Sequence, residues 1–331
     1  MPREDYIATI GLEVHCQITA ESKMFCACRA GYGHEPNTNV CPVCLGLPGA
    51  MPVLNKHAIE QTILAGMLLN CTTPEISKWD RKNYFYPDMP KNYQLTQMDL
   101  PLCAGGGVPL YDLAYHKDAQ KHIPKPGKVV QMNRIHLEED VAKSTHLANS
   151  STIDYNRAGT PLMEIVTEPD IDCAEEAYAF IKSLQQILQY GKISDADMDK
   201  GQMRCDVNIS VRKKGTDELG TKLEIKNLNS TSSVRSAIYY EIDRQIEELD
   251  MGIEQVQATL AWDPNTGQTS VMRVKEDSHD YRYFPEPDLL PVTTATLIEK
   301  MRARVPELPH EMRARFVTDY GVSEYDAGVL T

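Results

Sequence analysis

The chain has 331 residues, 42% of them hydrophobic and 24% charged, with a formal net charge of −13 at pH 7. This length can bury a large core in two or three lobes, and the acidic balance excludes a generally basic nucleic-acid coat while leaving room for a local basic patch or a cation site built from acids. The longest apolar runs fall well short of the ~20 residues that span a bilayer, and the first residues lack an apolar leader, so no membrane contact and a cytoplasmic location are expected.

Residues 8 to 20 alternate without a break, which predicts a half-buried strand. Ala8, Ile10, Leu12, Val14, Cys16 and Ile18 share one face; Glu13 and His15 lie on the other, about 7 Å apart. Either polar side chain alone is ordinarily solvated, but a Glu-x-His pair on one strand is a plausible pair of metal ligands. Nine cysteines, four clustered and five scattered, do not match a secreted disulfide framework. The four are Cys26-Ala-Cys28 and Cys41-Pro-Val-Cys44, two close pairs at the separation of a tetrahedral zinc knuckle with no open coordination position. A structural zinc would pin an otherwise irregular Gly/Pro/Asn-rich loop.

Residues 55 to 70 read as a helix with Ile59, Ile63, Gly66 and Met67 on one face. The run Arg81-Lys-Asn-Tyr-Phe-Tyr86 mixes cations with aromatics and can either stack a base and hold phosphates or form a packed aromatic hairpin. Gly105-Gly-Gly107 reads as a turn. Arg134-Ile-His-Leu-Glu-Glu-Asp140 places three carboxylates in a row, and burying them uncompensated is costly. They lie in solvent, or a divalent cation supplies the missing charge. Glu164, inside the apolar run Met163-Glu-Ile165, is a functional candidate for the same reason. Asp172-x-x-Glu175 predicts a capping box that opens a helix ended by Gly191.

Residues 204 to 212 alternate again, Arg204, Asp206, Asn208, Ser210 and Arg212 sharing the polar face. After a turn, Lys222, Glu224 and Lys226 line a second strand, so a hairpin carries Asp206, Glu224 and Lys226 on one face. A helix is expected from about 232 to 249, a hairpin from 261 to 274, and a proline-locked aromatic loop from 279 to 291. Short helical segments close the chain, and the last of them reads as a helix just beginning, as though a further domain followed.

Eight motifs, in order, carry a resemblance: Gly-Leu-Glu-Val-His (11–15), Asp-Arg-Lys-Asn-Tyr-Phe-Tyr-Pro-Asp (80–88), His-Leu-Glu-Glu-Asp (136–140), Lys-Ser-Thr-His (143–146), Gly-Thr-Pro-Leu-Met-Glu-Ile (159–165), Arg-Cys-Asp-Val-Asn-Ile-Ser (204–210), Lys-Asn-Leu-Asn-Ser (226–230) and Asp-Tyr-Arg-Tyr-Phe-Pro-Glu-Pro-Asp (280–288). They span essentially the whole chain, which resembles the GatB components of bacterial-type tRNA-dependent amidotransferases. The resemblance implies an α+β fold: an antiparallel-sheet cradle with flanking helices, similar to the glutamine synthetase and guanido kinase catalytic fold, with a small zinc knuckle at 26–44. Residues 1–292 would form the cradle and residues 293–331 the start of a helical domain, with the family's tRNA-binding tail domain absent.

It further implies an ATP-dependent ligase working in a heterotrimer. ATP phosphorylates the side-chain carboxylate of misacylated Glu-tRNA(Gln) or Asp-tRNA(Asn). Ammonia from the glutaminase component of the heterotrimer displaces the phosphate, and a small third component clamps the other two together. By the same resemblance Glu13, His15, Glu139, Glu164, Asp206 and Glu224 match the magnesium-site residues. Lys82 and Tyr84 match active-site lining, with Lys82, Arg204 and Lys226 facing substrate or nucleotide. Alternation puts Glu138 and Glu139 on opposite faces, and the motif match selects Glu139. Cys26, Cys28, Cys41 and Cys44 match the zinc-bearing members; others lack them, so zinc is not expected in the chemistry. Two other readings compete: a zinc-knuckle scaffold that binds RNA or protein without catalysis, and a metal-dependent hydrolase.

Overall fold

A computed structural model describes residues 3–274 and 280–331. In chain order it contains β1 (Tyr6–Gln17), α1 (Lys56–Leu68), β2 (Ile76–Ser77), β3 (Asp80–Asn83), β4 (Tyr93–Thr96), β5 (Cys103–Ala104), β6 (Gly107–Pro109), β7 (Val129–Glu139), β8 (Lys143–His146), β9 (Ser151–Asp154) and β10 (Pro161–Thr167). There follow α2 (Ala174–Tyr190), β11 (Met203–Lys213), β12 (Leu223–Leu228), α3 (Thr231–Asp250), β13 (Ala258–Asp263), β14 (Gln268–Val274), β15 (Phe284–Pro285), β16 (Val292–Thr293), α4 (Ala295–Arg302), α5 (Pro309–Tyr320) and α6 (Glu324–Leu330).

The alternating stretches become the centre of one large sheet of order β14-β13-β12-β11-β1-β10-β7-β5, with β6 also paired to β7. The sheet is mixed, which corrects the expected antiparallel one: β12 and β13 run parallel, because α3 carries the chain back to the same end before β13 begins. On β1 the predicted apolar face is buried, with Ile10, Leu12, Val14 and Cys16 at most 1% exposed. Helix α3 packs on β11 and β12, α2 on α3 and β6, and α1 on β7 and β5. The helices thus cover one sheet face; on the other, His136 and Glu138 are buried and Glu13, His15 and Glu164 half-buried.

Three local expectations change. Helix α1 is not one-sided: Ala58 to Gly66 are all buried, while Met67 is only half-buried. It lies in the core with α4 packed against it, and Leu297 and Met301 of α4 join the same apolar cluster. The start of α2 lacks the predicted capping box. Glu176, not Glu175, accepts the Asp172 N–H at 2.9 Å, while Asp172 pairs with Lys125 and Lys128 and Glu175 pairs with Arg235 of α3. The 279–291 segment is more than a loop: Phe284–Pro285 adds to β3 as a third strand of the sheet β15-β3-β4. His279, which opens that predicted segment, lies outside the described residues. Gly105 and Gly106 do form a turn, at φ +67° and +81° between β5 and β6.

Gly66 marks where α1 meets the sheet. A Cβ there would lie 2.3 Å from Cys103 Sγ and 3.1 Å from Cys103 Cβ. Alanine favours a helix over glycine by about 1 kcal/mol, but overpacking a filled core costs about 1–3 kcal/mol. Gly66→Ala is therefore expected to lower stability in chemical denaturation, and Cys103→Ala to restore part of it; a more stable Gly66→Ala variant contradicts this packing.

Candidate active site and metal centre

Strand register assembles the acid-bearing face. Glu13 is opposite Asp206 and His15 opposite Arg204 across β1/β11; on the other side His15 is opposite Glu164, and Glu164 opposite His136. Three strands therefore bring His15, Glu164 and His136 into one row, and Glu138 joins it from the next outward position of β7. His15 Nε2 lies 3.3 Å from Glu164 Oε2 and 3.9 Å from Glu138 Oε1. His136 Nε2 lies 3.3 Å from Glu164 Oε2 and 3.5 Å from Glu138 Oε2, and Thr96 Oγ1 donates to the same Glu138 oxygen at 3.0 Å. Burial alone would lower the pKa of His136, but the Glu164 and Glu138 carboxylates outweigh it and raise it to about 9.

This cluster separates the two adjacent glutamates. Glu138 is in it; Glu139, selected by motif, is not. Glu139 points to the covered side at the end of β7, where it forms a buried ion pair with Lys91 and accepts the Leu95 N–H at 3.0 Å. The alternation of β7 carried this distinction. Ile135 and Leu137, both fully buried, share parity with Glu139, whereas His136 shares parity with Glu138.

The remaining acids form a second group. Lys226 Nζ contacts Asp206 Oδ2 at 2.5 Å and Glu224 Oε1 at 2.9 Å, and Glu13 accepts from Asn208 Nδ2 at 2.8 Å. Five of the six residues read as one magnesium set thus fall into two neighbouring groups, His15 and Glu164 in the first and Glu13, Asp206 and Glu224 in the second, where Lys226 pairs with Asp206 and Glu224; Glu139 lies in neither. Arg204 turns to Asp140, 3.4 Å away, and Gln17 donates to the same carboxylate at 2.8 Å. Burial pushes the Asp140 pKa up, but Arg204 and Arg157 dominate together and hold it below the usual carboxylate range.

The sheet β15-β3-β4 sits beside β7, fastened by Trp79 Nε1 donating to the Leu137 carbonyl at 3.1 Å. From it Lys82 faces the acids. Burial opposes its charge, but Glu138, Tyr283 and Glu164 raise its pKa above the ordinary value. The Lys82 ammonium also lies 4.9 Å from the Tyr281 ring centroid. Tyr84 is half-buried near Asp88 and Glu138, and burial foremost pushes its hydroxyl up. Arg81 is structural: it forks onto Glu286 at 2.6 and 2.9 Å and lies over Tyr93. Phe85 and Tyr86 are exposed. The basic-aromatic run therefore divides between packing and free surface.

The donor set of His15, Glu138 and Glu164 suits a divalent ion. Ligand atoms around an octahedral ion with bonds of about 2.1 Å lie about 3 to 4.2 Å apart; His15 Nε2 lies 3.3 and 3.9 Å from the two carboxylates, and all three donors lie within 4.8 Å of one another. The buried Nδ1 atoms of His15 and His136 have no partner among the described residues.

The four cysteines also converge. Cys44 Sγ lies 3.5 Å from Cys26 Sγ, 3.5 Å from Cys41 Sγ and 3.6 Å from Cys28 Sγ. Tetrahedral zinc–sulfur bonds of about 2.3 Å place sulfurs about 3.8 Å apart, so the cluster can hold zinc. The hydrogen bond with Cys26 draws the Cys44 thiol down to about 4 and pushes the Cys26 thiol up.

A mixed sheet thus carries carboxylates, imidazoles and lysines together on one face, the arrangement of a charge-handling domain. Residues 8–299 match the family described as the GatB/GatE catalytic domain. The chain is 56% identical over 328 residues to the GatB component of the aspartyl/glutamyl-tRNA(Asn/Gln) amidotransferase of Methylacidiphilum infernorum, covering 98% of this chain and 68% of that protein. It is 52% identical over 330 residues to the corresponding protein of Thermoanaerobacter pseudethanolicus, covering 98% and 67%, and 50% identical over 327 residues to that of Persephonella marina, covering 98% and 67%. The chain belongs to the GatB/GatE catalytic-domain family. It spans about two thirds of these relatives' length. Among the described residues no helix is long and apolar enough to cross a membrane.

Proposed function

We propose that this chain supplies the ATP-using, amide-forming site of an aspartyl/glutamyl-tRNA amidotransferase. The carrying observation is the convergence of His15, Glu138 and Glu164 from three strands, with Lys82 facing them, in a chain that matches this family from residue 8 to 299. The related proteins are named for Asn- and Gln-tRNA, so the substrate class is an aspartyl or glutamyl ester on tRNA. We place the catalytic cradle in residues 1–292, similar in kind to glutamine synthetase and guanido kinases, with α4 packed into its core against α1. The scaffold reading leaves the clustered acids without a task, and the hydrolase reading is disfavoured by the match to an amidotransferase family.

A carboxylate is a poor electrophile at neutral pH. One of its oxygens attacks the γ-phosphorus of ATP, the bond to the β-phosphate oxygen breaks, and ADP leaves. Ammonia then attacks the acyl carbon, phosphate departs, and a proton is lost from nitrogen. Negative charge crowds the first step, where phosphates meet a carboxylate. A magnesium ion held by His15, Glu138 and Glu164 would offset that charge. Lys82 provides a fixed cation facing the same acids. Lys226, between Asp206 and Glu224, provides a second whose position those acids set, and Glu13 and Asn208 continue the row. Arg204 is partly committed to Asp140, so its part is to hold the end of β7 in register. Glu139 belongs to the support, with Lys91.

The ammonia would come from a glutaminase partner, with a small third protein completing the heterotrimer. The test is reconstitution with those partners. ADP is expected to form in step with amide on Glu-tRNA(Gln) or Asp-tRNA(Asn), and only when the aminoacyl ester is present. Amide formation without nucleotide consumption overturns the reading.

A further inference from the structure

Beside the cysteine cluster sits a lysine that the chemistry above does not use. The Lys23 side chain is buried, 1% exposed. Its ammonium donates to the Asn39 carbonyl at 3.0 Å, to the Tyr155 carbonyl at 3.4 Å and to Cys44 Sγ at 3.5 Å. No carboxylate of the described residues pairs with it. A buried ammonium whose oxygen partners are all neutral carbonyls needs a negative charge nearby, and the Cys44 sulfur is the group placed to carry it. Four thiolates around a zinc ion carry two net negative charges, and desolvated sulfurs accept hydrogen bonds from cations. Each group supplies what the other lacks. The placement also has a mechanical side: the same ammonium joins the knuckle loop, through Asn39, to the turn after β9, through Tyr155.

We propose that Lys23 is part of the metal centre: its ammonium, donating to the Cys44 sulfur, balances the charge of a four-thiolate zinc site and slows loss of the metal. This rests on reading Cys26, Cys28, Cys41 and Cys44 as that site. Lys23 acts on zinc through Cys44, so it is a positioning residue.

The experiment uses the purified 331-residue chain. Zinc content is measured directly, and release is followed with a colorimetric chelator. Lys23→Met is expected to release zinc about tenfold faster or more, the scale at which groups supporting metal ligands act. Lys23→Arg, which keeps the charge and the donor, is expected to stay near wild type. In the cobalt-loaded chain the sulfur-to-metal charge-transfer band is expected to shift in Lys23→Met and not in Lys23→Arg. If the wild-type chain holds no stoichiometric zinc, the zinc reading itself fails. If zinc is stoichiometric and Lys23→Met releases it at the wild-type rate, the role given to Lys23 fails alone. If Lys23→Arg is as leaky as Lys23→Met and neither shifts the cobalt band, Lys23 is only a loop tie and the proposal is overturned. Should Lys23→Met not fold, Lys23→Gln takes its place: a donor without charge that retains zinc as well as wild type overturns the charge argument, and one that loses it faster supports it.

Discussion

Glu138→Gln is expected to weaken divalent-ion binding to this chain by at least about a hundredfold, the upper end of what loss of a group merely supporting a metal ligand costs, while Glu139→Gln changes it little. The two residues are neighbours of one type, so composition, net charge and local propensity are the same in the two variants. What differs is direction. Glu138 Oε1 is 3.9 Å from His15 Nε2 within the cluster of His15, Glu138 and Glu164, whereas Glu139 is tied to Lys91 and Leu95 on the covered side. Glutamine keeps the length of the side chain and can still accept from Thr96 Oγ1, so Glu138→Gln isolates the loss of charge. Manganese binding to the purified chain, followed by electron paramagnetic resonance, measures the affinity. In the reconstituted enzyme, amide formation on tRNA should fall about 10²–10³-fold, as when one preorganised electrostatic contact is removed from an active site, with the partner's glutaminase turnover spared. Wild-type ion affinity in Glu138→Gln, or its loss in Glu139→Gln, would sink the assignment.

Much of the fold is legible because period-2 alternation over β1 and β11 is long and unbroken, which fixes the faces on which Glu13, His15, Arg204 and Asp206 lie. Register is a different matter. Nothing within β1 says that His15 will stand opposite Glu164, or that Glu164 will stand opposite His136; that pairing is fixed by three strands packing under one set of helices. The signal for Glu138 was nevertheless present. Ile135 and Leu137 mark the covered face of β7, so His136 and Glu138 belong to the other one. The mixed sheet was hidden because a helix between two strands allows either a parallel or an antiparallel return, and length alone does not choose. Lys226 between Asp206 and Glu224 is a cross-strand contact that alternation places on the right face, but it cannot say that the lysine, not an ion, fills the gap. Lys23 carried no signal at all, because a single lysine before a cysteine pair has no periodicity to betray its burial.

Lys91→Met is expected to be among the most destabilising single changes near the site, at about 3–5 kcal/mol, the cost of leaving one half of a buried ion pair without its partner. The Lys91 side chain is 9% exposed and that of Glu139 4%, so bulk solvent compensates the lost charge poorly. Methionine retains most of the apolar stem, which removes a packing loss as the main cause. Lys91 also lines a cavity of about 270 Å³ with Gly46, Tyr93 and Leu95, and water entering there would soften the penalty, which argues for the lower end of that range. The decisive measurement is a double-mutant cycle by chemical denaturation. Lys91→Met with Glu139→Gln removes both charges while an amide oxygen remains to accept the Leu95 N–H, so the double variant should regain a substantial part of the loss, with a coupling energy of at least about 1 kcal/mol. Additive losses would mean that the two side chains do not depend on each other. The consequence for chemistry follows from chain geometry: Glu139 anchors the residue next to Glu138, and Gln94 holds the Glu139 carbonyl at 2.8 Å. Breaking this anchor should therefore loosen ion binding modestly while leaving the donors in place, in contrast to the weakening of at least about a hundredfold expected from Glu138→Gln.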